Sequence, residues 1–159
     1  MTIRVKDAEV TMTMTEQPRL VVPMLGRVYR ALAPFTELLI RVMAGLSLIA
    51  HGYPKFFALP ANADFFAEAG FSPGWLWAIL TALTETLGGL LLAVGFLTRL
   101  ACIPILLFLL TAVYYHSQFG FYWNARGFEY PLFWSIVVFH FLIHGGGRWS
   151  IDHRLGREV

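Results

Sequence analysis

Ionisable side chains lie inside the most apolar stretches of this sequence, where burying a charge is costly. Glu85 is near the middle of LTALTETLGGLLLAVGF, residues 80–96, which is long and apolar enough to cross a bilayer. A charged residue at the centre of an inserting helix costs about 2.5–3.5 kcal/mol. A carboxyl group kept there points to proton exchange or to the binding of a polar headgroup.

Other ionisable residues recur four positions apart, a spacing that places both members of a pair on one helix face. The pairs are Glu37 and Arg41, His51 and Lys55, and His140 and His144. The first pair either neutralises itself near the membrane surface or has a functional role. The last pair either forms hydrogen bonds in the core or serves as a ligand or redox pair. His116 lies alone in the outer third of the third apolar stretch.

If these groups faced lipid, their cost would offset the free energy that the surrounding leucines gain on membrane insertion. We therefore expect them to face the bundle interior. There, imidazoles could hydrogen-bond a carbonyl oxygen, and Glu85 could exchange a proton. His51 and His116 would also permit one b-haem between facing helices, a weaker alternative. No cluster of His, Glu and Cys recurs at ligand spacing, so no metal site is predicted. A single cysteine, Cys102, excludes CxxC thiol-oxidase chemistry.

Four apolar segments must position these residues, and each is close to the roughly 20 residues that a membrane-spanning helix needs. They cover about residues 35–53, 75–97, 100–119 and 130–146. The chain is 57% hydrophobic and 14% charged, far from the about 45–50% and 25% of soluble domains. We therefore predict an all-α, integral membrane four-helix bundle. The short turn at 97–101 makes its second and third helices antiparallel neighbours.

The basic residues are unevenly divided between the two sides of such a bundle. One side carries Arg4, Lys6, Arg19, Arg27, Arg30, Arg99, Arg148, Arg154 and Arg157. The other side carries only Lys55 and Arg126. The positive-inside rule then places both termini in the cytoplasm and predicts a multi-pass inner-membrane protein.

The chain divides by pattern into three parts. Residues 1–34 form an N-terminal tail, disordered to about residue 18 and then either an interfacial amphipathic helix in LVVPMLGRVYRALAP or an unstructured basic segment. Residues 35–147 form the transmembrane domain, and residues 148–159 form a basic cytoplasmic tail. A second interfacial helix is predicted over 63–69, capped by Asn62 and ended by Gly70.

Small residues on the first two helices predict close helix packing. Gly45 lies on the first helix, and Gly88, Gly89 and Gly95 lie on the second. Glycines at an interface let two helix backbones approach each other closely.

Three motifs together resemble the DoxX family of small bacterial membrane proteins. They are RVMAGLSLIAHGYPKF, TETLGGLLLAVGFLTRLA and GGGRWSIDHRL, and the resemblance covers about residues 38–155. The family implies a four-helix membrane bundle. Its members include a subunit of an archaeal thiosulfate:quinone oxidoreductase and partners of thiol- and superoxide-handling enzymes. The matching positions are Arg41, Gly45, Gly52, Lys55, Glu85, Gly88, Gly89, Gly95, Arg99 and Asp152. His140 and His144 lie outside the motif.

These observations predict a membrane subunit of a quinone-linked redox system. His51 or His116 would hydrogen-bond a quinone carbonyl oxygen beside the positive charge of Lys55, while Glu85 exchanges the proton. Arg41 would stabilise the Glu85 anion or pair with Glu37. His140 and His144 are further candidate cofactor-binding residues.

A non-catalytic module is the alternative, either a scaffold that docks a soluble enzyme or a carrier of protons or small molecules. The sequence has no flavin, nicotinamide or iron–sulfur motif, so an oxidoreductase role requires a redox partner protein. Membrane lipid is an expected partner, and nucleic acid is not.

Overall fold

The structure, a computed structural model, describes residues 20–157, which are helical with short connections and without strands. The α-helices are α1 Leu25–Gly52, α2 Leu59–Glu68, α3 Gly74–Leu83, α4 Gly89–Val94, α5 Thr98–Ser117, α6 Glu129–His144 and α7 Ile151–Leu155. A π-helical turn, Thr84–Gly88, joins α3 to α4. Short 3-10 helices cover Tyr53–Ala58 and Trp123–Ala125.

Within the described part of the chain, three segments are long and apolar enough to cross a membrane. They are Leu25–Glu68, Gly74–Val94 and Thr98–Ser117. Helix α6 has 16 residues, fewer than the roughly 20 that a perpendicular crossing needs. The all-helical, membrane-spanning character is confirmed, whereas the fourth crossing stays a prediction.

The chain divides into two compact units between Leu32 and Ala33. In the first unit, α1 begins at Leu25 after Pro23, and Arg27 and Arg30 are exposed. Residues 25–32 are therefore the opening turns of α1. The predicted disorder of residues 1 to about 18 lies outside the described residues.

The second unit has a narrow core of aliphatic and aromatic side chains from α1, α4, α5 and α6. Its buried members are Ala44, Leu48, Leu92, Cys102, Ile105, Leu109, Val138 and Phe141. Most other large apolar side chains point outward. That distribution suits a protein whose solvent is lipid, because acyl chains are as apolar as leucine. Cys102 is fully buried and packs as a hydrophobe.

Glycines bring α1 against the second membrane-length segment, as their spacing predicted. A Cβ on Gly89 would lie 2.8 Å from the Gly45 carbonyl oxygen, so the two backbones touch there. A Cβ on Gly52 would lie 2.6 Å from the Glu85 Cβ. The absence of a side chain at Gly52 therefore lets Glu85 reach the end of α1. Gly95 has φ +70° and ends α4, a conformation that glycine adopts without strain.

The predicted helix over 63–69 begins earlier than expected. Helix α2 starts at Leu59, and Asn62 lies inside it and donates to the Ala58 carbonyl at 2.8 Å rather than capping the helix. The Asn62 prediction is wrong because Pro60, which sequence reasoning passed over, fits the first turn of a helix. The predicted end is confirmed: Gly70 has φ +90°, and Phe71 N donates to the Phe66 carbonyl at 2.8 Å.

Candidate functional site

A buried ion pair forms where α1 ends against the second membrane-length segment. Lys55 Nζ, in the 3-10 helix after α1, donates to Glu85 Oε2. The Glu85 residue is 4% exposed, and the Lys55 side chain is 24% exposed. Glu85 lies in the π-helical turn, a local irregularity that often occurs at functional sites. The structure thus joins two of the predicted site residues.

The ion pair borders a cavity of about 240 Å³ between α1, the π-helical turn, α5 and α6, here called the polar cavity. Its walls carry hydrogen-bonding side chains from these four elements and from the 3-10 helix after α1, namely Ser47, His51, Lys55, Glu85, His116, Tyr130 and Trp134. Trp134 Nε1 is buried and has no hydrogen-bond partner among residues 20–157. A buried donor of this kind is costly to leave unpaired.

Both predicted outer histidines, His51 and His116, line the polar cavity. His51 is exposed, with its ring edge-on to Tyr130 at 6.3 Å between centroids. His116 Nδ1 lies 2.6 Å from the Arg126 carbonyl oxygen. A carbonyl only accepts, so His116 Nδ1 carries a proton. In the neutral ring, Nε2 is then an acceptor, and it becomes a donor when the ring is protonated.

A second cavity of about 390 Å³, here called the aromatic cavity, adjoins the first. The aromatic side chains in its wall are Phe65, Phe66, Phe71, Trp77, Phe108 and Tyr115. Four residues, Lys55, Phe108, Ala112 and His116, line both cavities. Lys55 Nζ lies 5.4 Å from the centroid of the Phe108 ring, a cation–π contact at the junction.

Arg41 belongs to a different cluster, at the opposite end of the membrane-spanning part of α1. Its guanidinium is buried and donates to three backbone carbonyls: Ala93 at 3.4 Å, Trp149 at 3.0 Å, and Gly146. The distance from Arg41 to Lys55 along the helix is about 20 Å. Arg41 therefore does not contact Glu85, and the expectation that it stabilises the Glu85 anion is corrected.

The alternative predicted for Arg41 was pairing with Glu37. The exposed Glu37 places its carboxylate beside Gly147 and attracts Arg41 by charge, as Asp152 does. The guanidinium bonds are made to carbonyls instead. Arg41 therefore fastens the segment after α6 to α1.

Asp152 completes this cluster by capping α5. Its carboxylate accepts from Leu97 N at 2.8 Å, Thr98 N at 2.9 Å and Thr98 Oγ1 at 2.7 Å. Ser150 Oγ accepts from His153 N at 3.0 Å and caps α7. Arg41, Gly95 and Asp152 are three of the positions that match the family motif, and they thus belong to one set of structural contacts. We refer to Arg41, Thr98, Gly146, Ser150 and Asp152 as the Arg41–Asp152 cluster.

His140 and His144 are placed elsewhere. Both are exposed on α6, with their rings stacked at 4.3 Å and 19°. Helix α6 buries Pro131, Ser135, Val138 and Phe141, which lie on its other face. The prediction that the two histidines face the bundle interior is therefore wrong.

Sequence reasoning missed several functional positions. Ser150 was visible as a capping residue type beside the motif, and a search for helix N-caps would have found it. Thr98 is the first residue of α5 and donates its hydroxyl to Asp152, a contact that no local pattern indicates. Phe108, Tyr130 and Trp134 carry no local signal, because an aromatic residue in an apolar helix is unremarkable. In the described residues, no group of three or more His, Cys, Asp and Glu side chains is placed to hold a metal ion.

Comparison with known proteins identifies a family and related membrane proteins. The DoxX family model matches residues 36–118. The chain is 31% identical over 132 residues to the inner membrane protein YphA of Escherichia coli, covering 79% of this chain and 94% of that protein. It is 26% identical over 149 residues to the uncharacterized membrane protein Rv3486 of Mycobacterium tuberculosis, covering 86% and 91%. No solved structure matches. The chain is a membrane protein and belongs to the DoxX family.

Proposed function

We propose that this protein is the membrane subunit of a redox system, and that it binds quinone or quinol in the polar cavity and exchanges protons with it. One observation carries the proposal: the buried Lys55–Glu85 pair forms one wall of a cavity rich in hydrogen-bonding groups. Ionisable groups inside a membrane are by default functional candidates, because a purely structural role could be met by less costly residues.

The residues of the site fit a quinone headgroup. Its ring is flat and apolar with two carbonyl oxygens, and a bound quinone accepts two electrons and two protons. Lys55 has donor capacity beyond its bond to Glu85, and the unpaired Trp134 indole N–H is a second donor. Phe108 supplies an apolar surface in the same cavity.

The carboxyl and imidazole groups exchange protons with the bound quinone or quinol. Glu85 takes up a proton from a quinol hydroxyl, and the adjacent Lys55 charge stabilises the carboxylate between turnovers. His116, with Nδ1 held by the Arg126 carbonyl, accepts at Nε2 from a quinol and donates there once protonated. The exposed His51 on the rim passes protons to water. Electrons come from or go to a redox partner protein.

The proposal includes a topology. Helix α6 is about 24 Å long and, with its short flanks, makes a fourth crossing of a slightly thinned inner membrane. Both termini lie in the cytoplasm, which places the Arg41–Asp152 cluster on that side and the Lys55–Glu85 pair toward the outside.

The test is purification of the full chain in lipid nanodiscs, followed by extraction and mass spectrometry of bound quinone, an absorption spectrum and a quinol-oxidation assay in native membranes. Stoichiometric quinone and turnover that depends on this protein are expected. A stoichiometric protein partner without quinone would instead favour a scaffold, and a haem absorption band would favour His51 and His116 as axial ligands.

The exposed histidines of α6 provide a sharp negative prediction. Replacing both His140 and His144 by Leu should leave quinol turnover within about twofold of wild type, because neither side chain lines the two cavities. Turnover is measured in the same membranes, normalised to protein by immunoblot. A large loss of turnover would move the proton-exchanging site to α6.

A further inference from the structure

We infer that the site takes a quinone with an isoprenoid tail, its ring in the polar cavity and its tail in the aromatic cavity, entering from the bilayer between α3 and α5. This rests on the proposed function and names the substrate class of that site. The two cavities share Lys55, Phe108, Ala112 and His116 in their linings, so they lie side by side, and a ligand that occupies both passes these four side chains.

The aromatic cavity is suited to hydrocarbon rather than to a second polar group. Phenylalanine, tryptophan, leucine and proline side chains make up half of its lining. Two of its polar side chains already have partners within their own helices: Asn62 donates to the Ala58 carbonyl at 2.8 Å and Thr111 to the Leu107 carbonyl at 2.9 Å. The polar cavity is the opposite case, since His51, Glu85 and Tyr130 line it and do not line the aromatic cavity. This contrast orients an amphipathic molecule, with its oxygens toward Glu85 and its tail toward Phe65 and Trp77.

The aromatic cavity also opens toward lipid. Leu107 on α5 is 63% exposed and Leu80 on α3 is 45% exposed, and both line it. A tail dissolved in the bilayer can enter between these two side chains without passing through water. The volume of about 390 Å³ lies in the range typical of small-molecule sites, about 300–1,000 Å³.

A matched pair of variants on α5 tests the inference. Leu107→Trp adds bulk at the mouth of the aromatic cavity, whereas Leu110→Trp adds the same bulk at an exposed leucine that lines neither cavity. Binding of two probes to the full chain in nanodiscs is measured: a benzoquinone with a geranyl tail, and the same ring with a methyl group in place of the tail. We expect Leu107→Trp to weaken the geranyl quinone by about tenfold and to leave the methyl quinone unchanged. Leu110→Trp should change neither.

The affinities of different variants for the same probe are compared, so the partition of that probe into lipid cancels. A loss of affinity that is selective for the tailed probe therefore reports on the cavity itself. Equal loss of both probes in Leu107→Trp, or loss of neither, overturns the tail assignment while leaving the proposed function standing. If wild-type protein binds neither probe, the proposed function itself fails.

A second measurement covers the case in which Leu107→Trp does not fold. Wild-type protein is irradiated with a quinone that carries a diazirine at the end of its tail, and the labelled peptides are identified by mass spectrometry. Labels on α2, α3 and α5 around Phe65, Trp77 and Leu107 are expected. Labels confined to α6 would overturn the inference.

Discussion

Replacing Glu85 by Gln should lower quinol turnover by at least about 100-fold while the protein stays folded. The amide keeps the size and hydrogen-bonding reach of the carboxyl group but carries no exchangeable acid proton. A positioned general acid or base contributes roughly 10²–10⁴-fold to a rate. Turnover is measured in native membranes. Folding is checked by whether the detergent-solubilised protein remains monodisperse. Glu68→Gln, at the exposed end of α2, is the matched control and should be silent.

Variants of Lys55 separate the stability of the pair from its function. Lys55→Met leaves the buried Glu85 carboxylate without its partner, and removal of one member of a buried pair costs about 3–5 kcal/mol. Because Lys55 is partly exposed, we expect the lower end of that range. The double variant Lys55→Met and Glu85→Gln should recover much of the stability, since no charge is left unpaired, but should remain inactive. Wild-type turnover in the double variant would remove the pair from the mechanism.

The Lys55–Glu85 pair shows which features of the site can be predicted from the sequence. Counting depth along the apolar stretches identified both residues as candidates, because an ionisable group inside a membrane is conspicuous. Their pairing depends on the close approach of Gly52 to Glu85 and on the π-helical turn, which involve residues about 30 positions apart. Local spacing contains no information of that kind, so the partner could not be assigned.

The same limit explains Arg41. Its four-residue spacing from Glu37 suggested a partner on its own helix, whereas the structure gives it the carbonyls of Gly146 and Trp149, more than 100 positions away. The prediction for the histidines of helix α6 was wrong for a different reason. The apolar residues of α6 are distributed around the whole helix, so their periodicity does not indicate which face is buried, and the outward position of His140 and His144 could not be inferred from it.

Replacing Asp152 by Ala should destabilise the fold by about 3 kcal/mol. Its carboxylate accepts three hydrogen bonds at the start of α5, and an unsatisfied buried donor costs about 1–3 kcal/mol. One of those bonds also holds Leu97 at φ +47°, a left-handed conformation that costs a non-glycine residue about 1–2 kcal/mol. The loss should appear as a lower midpoint of unfolding by sodium dodecyl sulfate in mixed micelles.

Two further variants make this prediction specific to the Arg41–Asp152 cluster. Asp152→Asn keeps one acceptor oxygen and should lose about half as much stability, whereas Asp64→Ala removes an exposed carboxylate of α2 and should lose almost none. Since Asp152 lies at the far end of the fold from Lys55, quinone affinity per folded molecule should be unchanged in all three. Equal unfolding midpoints for Asp152→Ala and Asp64→Ala would contradict the capping role, because a buried carboxylate with three donors cannot then be holding α5 to the segment that follows α6.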